Sequence, residues 1–574
     1  MKAELTSPSQ EATGSWRILV VDELALPETG ATIDLMEVLP EGLRSRYSHP
    51  TSILKDQPPT SAALDAIPIL KGVKKGHYGK IIERLVKAGM VVLQDTPPLC
   101  INGIFGVAKG TKSRLIVDCR RANMYFREPE GVRLPSPADL ANLRINKGER
   151  VYVAKADMKD YFHNFYLPPW YAQYFGLPAL SDEQGEKRYP VLRSLPMGWA
   201  HSVLLAQSAH EHLLRPLSGL ASRVSSISHL NGAAVMEYID DHAFLALDPI
   251  TANQLLWQSL QLLIAAGLSS HPGKEVWATW NQEDVEVLGI RLAKGVQIRP
   301  TRRAVKALIR ETTRLVKDKT VRTNTLSSLA GKWVWVLMIR RPFLAFLEEI
   351  YVVLKEAAKD GRKSVQNTSK LRGELNNLLR VLPLVEFSLE RKFAKQVLAS
   401  DASEGGCGVV STETEEPERL FRFRVRKGWA SFLTGKGPEG YDGELEREIG
   451  HKEAHDFLKQ KPWKVELSFA WRFKDHIVYL ETRAILQAIQ RFISHIRVRE
   501  TSTRATTLFI FVDARAALGA CAKGRSSSRR LNVILRRIAI VCAVADIEML
   551  YIWAPTDINP ADNPSRNYRR AGAP

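Results

Sequence analysis

Apolar residues along this 574-residue chain switch between two periods, and the switches outline its elements. Val151, Val153, Ala154 and Ala156 approximate a strand that runs into Asp157. Two apolar runs, Ala233–Met236 and Ala243–Leu247, flank Tyr238-Ile239-Asp240-Asp241; this is the pattern of a β-hairpin with paired acids at its tip. Residues 78–90, 198–218 and 251–266 carry helical spacing, and 91–120 and 285–299 read as strands. Val305, Leu308, Ile309, Leu315 and Val316 predict an amphipathic helix over 302–322. From about residue 393 a new pattern begins: strands at 395–401, 406–411 and 419–426, a helix at 480–493, a strand at 507–513, a helix at 529–543 and a strand at 547–553. Residues 427–475 read as an insertion before the helix at 480, 361–371 as a polar linker, and 1–75 as a poorly patterned leader. Mixed strands and helices over this length predict an α+β, multidomain protein.

Charge adds a partner to this outline. The formal net charge is +19, and residues 299–375 hold 18 Lys/Arg against 7 Asp/Glu. Within the 302–322 helix, Arg303, Lys306, Arg310, Arg314 and Lys317 recur at three and four positions, a stripe with no acid in it. A charged helix face is ordinarily just solvated, but five like charges in one stripe repel unless an anion neutralises them. A nucleic-acid backbone is the expected partner. Five scattered cysteines form no CxxC pair and no disulfide framework, which suggests a reducing, intracellular compartment, cytoplasmic or nuclear. The N-terminus has no apolar signal region and no charge-free apolar run approaches 18 residues, so no membrane association is expected.

The acids carry the chemistry. Asp240 and Asp241 repel each other at a turn unless a cation neutralises them, and Mg²⁺ prefers such hard oxygen ligands. A solvated acidic turn is the plain alternative. Asp157, at the end of the earlier strand, supplies a third carboxylate if the fold brings it alongside. Three carboxylates can hold two Mg²⁺ ions, one activating an attacking hydroxyl and one steadying a leaving pyrophosphate, as nucleotide polymerisation requires. A second set, Asp401, Glu481, Asp513 and Asp562, stands at predicted strand ends and helix starts. Each alone reads equally well as a helix cap; four in one small domain point to a further metal site.

Taken in order, these blocks resemble a reverse transcriptase. Lys109 and Arg114–Asn123 look like the family's fingers motif, and the resemblance implies that Lys109 and Arg114 grip the triphosphate of an incoming dNTP. Asp157–Phe162 is similar to motif A, Leu195-Pro196-Met197-Gly198-Trp199 through Gln207 to motif B, and Tyr238–Asp241 to motif C. Gly267-Leu268 with Lys274 looks like motif D, and Val287–Ile290 like the primer-grip hairpin. The resemblance implies metal binding by Asp157, Met158, Asp240 and Asp241. It makes Phe162 a steric gate against a ribose 2′-hydroxyl, and places Met197, Gly198, Gln207 and Lys274 at the substrate. Met197 stands where retroviral relatives commonly have glutamine.

Asp401, Glu481, Asp513 and Asp562 resemble the acidic set of ribonuclease H, again with two Mg²⁺ ions (Mn²⁺ as a substitute). No histidine follows Asp562, and Ala514 follows Asp513. The Asn559–Arg566 ending, with Leu329–Trp333 and Arg341–Leu344, looks closest to DIRS-type, tyrosine-recombinase retrotransposon polymerases. The implied organisation is a leader over 1–75, fingers and palm over 76–298, a basic helical thumb and connection over 299–390, and an RNase H-like domain over 391–574. The implied activity is RNA-directed DNA polymerisation with endonucleolytic cleavage of RNA in hybrids, with an RNA template and a DNA primer as partners. A catalytically silent scaffold derived from such an enzyme is the alternative, and retention of all seven acids argues against it. An RNA-directed RNA polymerase is a third reading, which Phe162 and the second acidic domain oppose.

Overall fold

The computed structural model describes residues 16–181, 185–227, 229–271, 273–425, 444–496 and 505–568. It is a mixed helix-and-sheet protein with two compact units, and the units are not consecutive halves. The first holds the chain through Pro135 and then Arg150–Val285; the second holds Ser136–Glu149 and everything from Glu286.

The first unit contains a four-stranded sheet in the spatial order Ser222–Arg223, Ala233–Tyr238, Asp241–Ala246, Tyr152–Asp157. The expected hairpin forms, with Tyr238 opposite Asp241 across a two-residue turn. The strand ending in Asp157 lies antiparallel on the hairpin's far side and sets Asp157 opposite Asp241. All six residues of Ala233–Tyr238 are buried, which is why Ala233–Met236 reads as a continuous apolar run instead of an alternating one. Gly103–Lys109 and Lys112–Asp118 form a second hairpin. The stretch expected as a leader is built into this unit from Trp16 on. Trp16–Arg17 pairs with Gly103–Lys109 and Leu24–Ala25 with Lys112–Asp118, while Leu19, Leu35 and Leu39 are fully buried. Two-residue strands are too short to leave a readable period.

The second unit is organised on a five-stranded sheet ordered Lys464–Ala470, Gly406–Glu413, Lys392–Ala402, Thr506–Val512, Ile547–Trp553. The first three strands are mutually antiparallel and the last three parallel. Helices Ile477–Arg491 and Arg529–Val544 pack together beside it. The third strand differs from expectation. Pro417–Phe423 is a 3₁₀ helix that buries Leu420 and Phe421, and the strand that completes the sheet is Lys464–Ala470. A proline start and two arginines spaced among the apolar residues suit a tight helix as well as a strand. Part of the expected insertion, residues 427–443, lies outside the described residues.

Upstream, the basic helix runs Arg302–Lys317, shorter than expected, because the chain turns at Asp318 into the strand Thr320–Arg322. That strand pairs with Ser364–Gln366. The polar stretch at 361–371 is therefore structured: Asn367 donates to Leu315 O and Asp318 O at 2.7 and 2.8 Å, and Thr368 caps the helix Ser369–Val381. Its polar residues are ladder and cap groups, which composition does not distinguish from a linker.

Ser136–Glu149 joins this unit as a strap. A capping box from Ser136 and Asp139 starts its short helix, and Ile145 N donates to Leu389 O at 3.2 Å. The Arg144 guanidinium, 4% exposed, pairs with Glu548 and lies 4.8 Å from the Phe421 ring centroid. No helix among the described residues is long and apolar enough to cross a membrane.

Candidate functional site

In the first unit the sheet register gathers three acids at one edge. Met158 N donates to Asp240 O at 2.9 Å and His271 N to Asp157 O at 2.7 Å, tying the strand end to the hairpin turn and to the loop that follows. Met158 itself is buried. Like charges directly opposite one another destabilise a sheet, and the site shows that stress. Partial desolvation, then the charges of Asp240 and Asp157, push Asp241 up to about 7. Asp241 is nonetheless exposed to solvent at the strand end, so the crowding lies at the sheet's rim and not in a closed core. Lys274 Nζ sits 2.7 Å from Asp157 Oδ2 and serves as a local counter-ion.

The turn is held from beneath. Ile239 has φ 56, a left-handed conformation that a β-branched residue rarely adopts. Gln207 Oε1 accepts from Ile239 N at 2.7 Å, and Gln207 Nε2 donates to Glu237 O at 2.9 Å. His210 Nδ1 lies 2.7 Å from Ile239 O. Burial pushes the His210 imidazole down to about 4, so it is neutral at pH 7 and donates from Nδ1. Both side chains project from helix Ser202–Leu213. Gln207, expected at the substrate, is 1% exposed and spends its amide on the turn backbone. His210 was not anticipated; its one sequence signal is the three-residue spacing from Gln207 on a helix.

Gly198 has φ 131, and a Cβ there would lie 2.1 Å from Val117 O. The backbone accordingly comes close: Val117 N donates to Met197 O at 3.2 Å. Asn123, also not anticipated as a site residue, fixes the loop by donating to Gly198 O at 3.2 Å and accepting from Ala200 N at 3.0 Å. Phe162 is half-buried against the core of this unit. Arg114 stands on the Lys112–Asp118 strand opposite Val107. The Lys109 side chain lies outside the described residues.

The second unit holds the other acids together. One carboxylate oxygen from each of Asp401, Glu481 and Asp513 lies within 4.8 Å of the others. Asp401 ends within Lys392–Ala402, Glu481 sits in the first turns of Ile477–Arg491, and Asp513 directly follows Thr506–Val512. Adjacent strand ends and one helix start are thereby focused on a single point. Glu481 Oε2 and Asp513 Oδ1 are buried with no hydrogen-bond partner. Burial, then the charges of Asp401 and Asp513, push Glu481 up to about 9, and burial likewise raises Asp401. Orphaned buried oxygens among like-charged neighbours are what a divalent cation would satisfy. Asp562 begins the short helix that carries Ser565, whose hydroxyl donates to Asp401; Asp562 Oδ1 itself accepts from Arg566 Nε at 2.8 Å. Three of the four expected acids thus meet directly, with Asp562 at their margin.

In the same unit, Arg303, Lys306, Arg310, Arg314 and Lys317 are all exposed, while Leu308, Thr312 and Leu315 are buried. The helix's one acid, Glu311, is engaged by Lys332 at 2.7 Å.

The chain is similar to several solved foamy viral protease-reverse transcriptase structures, at 14% identity. One, "dRH in complex with ds DNA", has a TM-score of 0.43 over 90% of this chain and 80% of that chain. A second, with dsDNA, has 0.43 over 90% and 95%. A third, with an RNA/DNA hybrid, has 0.42 over 87% and 77%. Residues 108–292 match the family model described as reverse transcriptase (RNA-dependent DNA polymerase), and that stretch, which contains Asp157, Asp240, Asp241 and the Gln207–His210 support, is a reverse transcriptase domain.

Proposed function

We propose that the protein is an RNA-directed DNA polymerase that also cuts the RNA strand of RNA–DNA hybrids, encoded by a DIRS-type retrotransposon-like element. The observation that carries this reading is the register that sets Asp157 opposite Asp241 with Asp240 in the adjoining turn. In this reading Asp157, Asp240 and Asp241, with the Met158 backbone alongside, hold divalent cations. Two Mg²⁺ ions, when bound, supply Lewis-acid activation of the attacking oxygen and neutralise charge on the leaving phosphate. Lys274 holds Asp157 in place in their absence. Lys109 and Arg114 grip the dNTP triphosphate. Phe162 excludes a 2′-hydroxyl, and Met197 and Gly198 line the nascent base pair. The basic stripe from Arg303 to Lys317 holds the primer–template duplex by its phosphates.

The second acidic cluster supports the nuclease half. Asp401, Glu481 and Asp513 offer oxygens within cation-sharing distance of one another, and Asp562 completes the set. The division of labour in this reading is fingers and palm to about residue 298, thumb and connection over 299–390, and RNase H-like domain over 391–574, working inside the cell.

Two substitutions separate the halves. Asp240→Asn is expected to abolish Mg²⁺-dependent dNTP addition on an RNA template while binding of the primer–template stays within a few-fold. Asp401→Asn is expected to leave addition intact and stop cleavage of RNA in a hybrid. Extension by the first variant at the native rate would sink the polymerase assignment, and continued cutting by the second would sink the nuclease assignment.

A further inference from the structure

Helix Pro249–Ala265 packs on the strands Tyr152–Asp157 and Asp241–Ala246 of the first unit and buries Leu255, Leu256, Leu260 and Leu263. Its outer face is not that of a solvated helix. Ile250, Trp257 and Ile264 recur every seven residues, so they share one side, and each is more than half exposed. Between them on that side stand Gln254 and Gln261, both exposed. No residue of the helix carries a charge, in a chain of net charge +19. An outward helix face ordinarily holds charged side chains. Single exposed apolar residues need no account, but three in register form a surface.

Two more tryptophans flank this face. Asn253, one turn from both Ile250 and Trp257, donates to Ala278 O at 3.0 Å and accepts from Ala278 N at 2.7 Å. Lys155 and Val276 exchange two backbone hydrogen bonds at 2.9 Å, and Gln282 holds both the N–H and the carbonyl of Val153. The segment between is thereby pinned to sheet and helix at once. It carries Trp277 and Trp280, both exposed, with Trp280 edge-on to Tyr152. These rings are held outward by a fixed backbone. Helix face and flank together offer on the order of several hundred Å² of apolar surface, the size that marks an interface.

We propose that two copies of the chain join here, helix Pro249–Ala265 of one lying antiparallel on the same helix of the other. The order of residues selects this occupant. Identical copies related by a two-fold axis meet through one patch that is complementary to itself. In residue type this face reads the same in both directions: Ile250, Gln254, Trp257, Gln261, Ile264. With the axis at Trp257, Ile250 meets the partner's Ile264, and Gln254 comes beside the partner's Gln261, where carboxamides donate and accept reciprocally. Charge favours the same occupant. Copies of net charge +19 repel each other, and least where the contact brings no charged side chain. A nucleic-acid strand fits less well, because base-stacking surfaces work beside cations that track the backbone, and this helix has none. The proposal is independent of the polymerase and nuclease readings.

Sedimentation velocity on the full chain, freed of nucleic acid and run over a micromolar concentration series, is the test. The native chain is expected to sediment as a dimer. Trp257→Glu is expected to raise the dissociation constant by about 30-fold or more, the scale of a central aromatic anchor. Gln254→Lys with Gln261→Lys leaves every apolar residue in place and should give monomer, as should Gln254→Glu with Gln261→Glu. Mixing those two chains should restore a dimer with one copy of each. Gln254→Lys with Gln261→Glu in a single chain should stay dimeric, because antiparallel pairing sets opposite charges together. Far-UV circular dichroism checks folding, and should Trp257→Glu not fold, the glutamine variants carry the readout. A native chain that is monomeric across the series would overturn the proposal, whether the patch is then covered by another part of the chain or serves a different partner. So would a dimer seen only after nucleic acid is added, or one that Trp257→Glu and the double lysine substitution both leave intact. Loss of the dimer in the chain with Gln254→Lys and Gln261→Glu would overturn the antiparallel arrangement.

Discussion

Ile239 sits where its side chain is least welcome. A branched residue at φ 56 costs roughly 1–2 kcal/mol relative to an extended or helical backbone. It persists because Gln207 and His210 hold its N–H and its carbonyl from one helix, and the result is a fixed turn whose Asp240 carbonyl is tied to Met158, beside Asp157. On the role proposed for Asp240, His210→Ala is expected to lower kcat for nucleotide addition by about 10- to 100-fold, the scale for a misplaced catalytic group. The KM for dNTP and primer affinity should change by less than about three-fold, which steady-state kinetics beside a binding titration would show; a mainly KM effect would make His210 a substrate contact instead. Gly198→Ala drives a Cβ toward Val117 O and should cost about 2–4 kcal/mol, read as a lower urea midpoint. The sequence revealed the acids, because Asp-Asp at a hairpin tip interrupts an apolar pattern. It concealed the clamp, because its hydrogen bonds span 29 and 32 residues and a glutamine or histidine on a helix has no distinctive spacing.

Among the elements, the basic helix Arg302–Lys317 is the most legible, since apolar and cationic positions recur at 3.6 on separate faces. Its only acid is turned aside to Lys332, so the exposed stripe keeps its full charge. Arg310→Gln with Arg314→Gln should weaken duplex binding uniformly across sequences and flatten the salt slope by about 1 per charge removed; an unchanged slope would leave the stripe as solvated surface. The strands of the second sheet were legible too, except the third. Lys464–Ala470 lies at the sheet's edge with Val465 53% exposed, so its alternation is blurred where one side has no neighbouring strand. Pro417–Phe423 mimicked a strand because its buried pair, Leu420 and Phe421, are adjacent and flanked by arginines. Short elements defined by caps and bulges, such as Ser364–Gln366, carry too few residues for a period to register.

For the molecule as a whole, the acidic cluster ties stability to pH and to metal. Glu481 is raised to about 9, well above an unfolded glutamate near 4.3. Between those values the folded chain binds more protons than the unfolded chain, so stability falls as pH rises from about 5 to about 9. The metal-free protein should show a falling Tm across that range, and Glu481→Gln should flatten the curve. Added Mg²⁺ should raise Tm more at pH 8.5 than at pH 6, because the cation replaces the proton that pH removes; calorimetry at a few pH values reads both effects, and equal shifts at the two pH values would argue against a cation at this cluster. The strap Ser136–Glu149 has a different kind of consequence. Its arginine, Arg144, is encoded roughly four hundred codons before its partner Glu548, so the second unit is not encoded by one contiguous segment. A chimera joined between two relatives near residue 390 would inherit the strap from one parent and its docking surface from the other. Recombination among relatives should therefore preserve these two distant stretches as a matched pair, even where the sequence between them is exchanged.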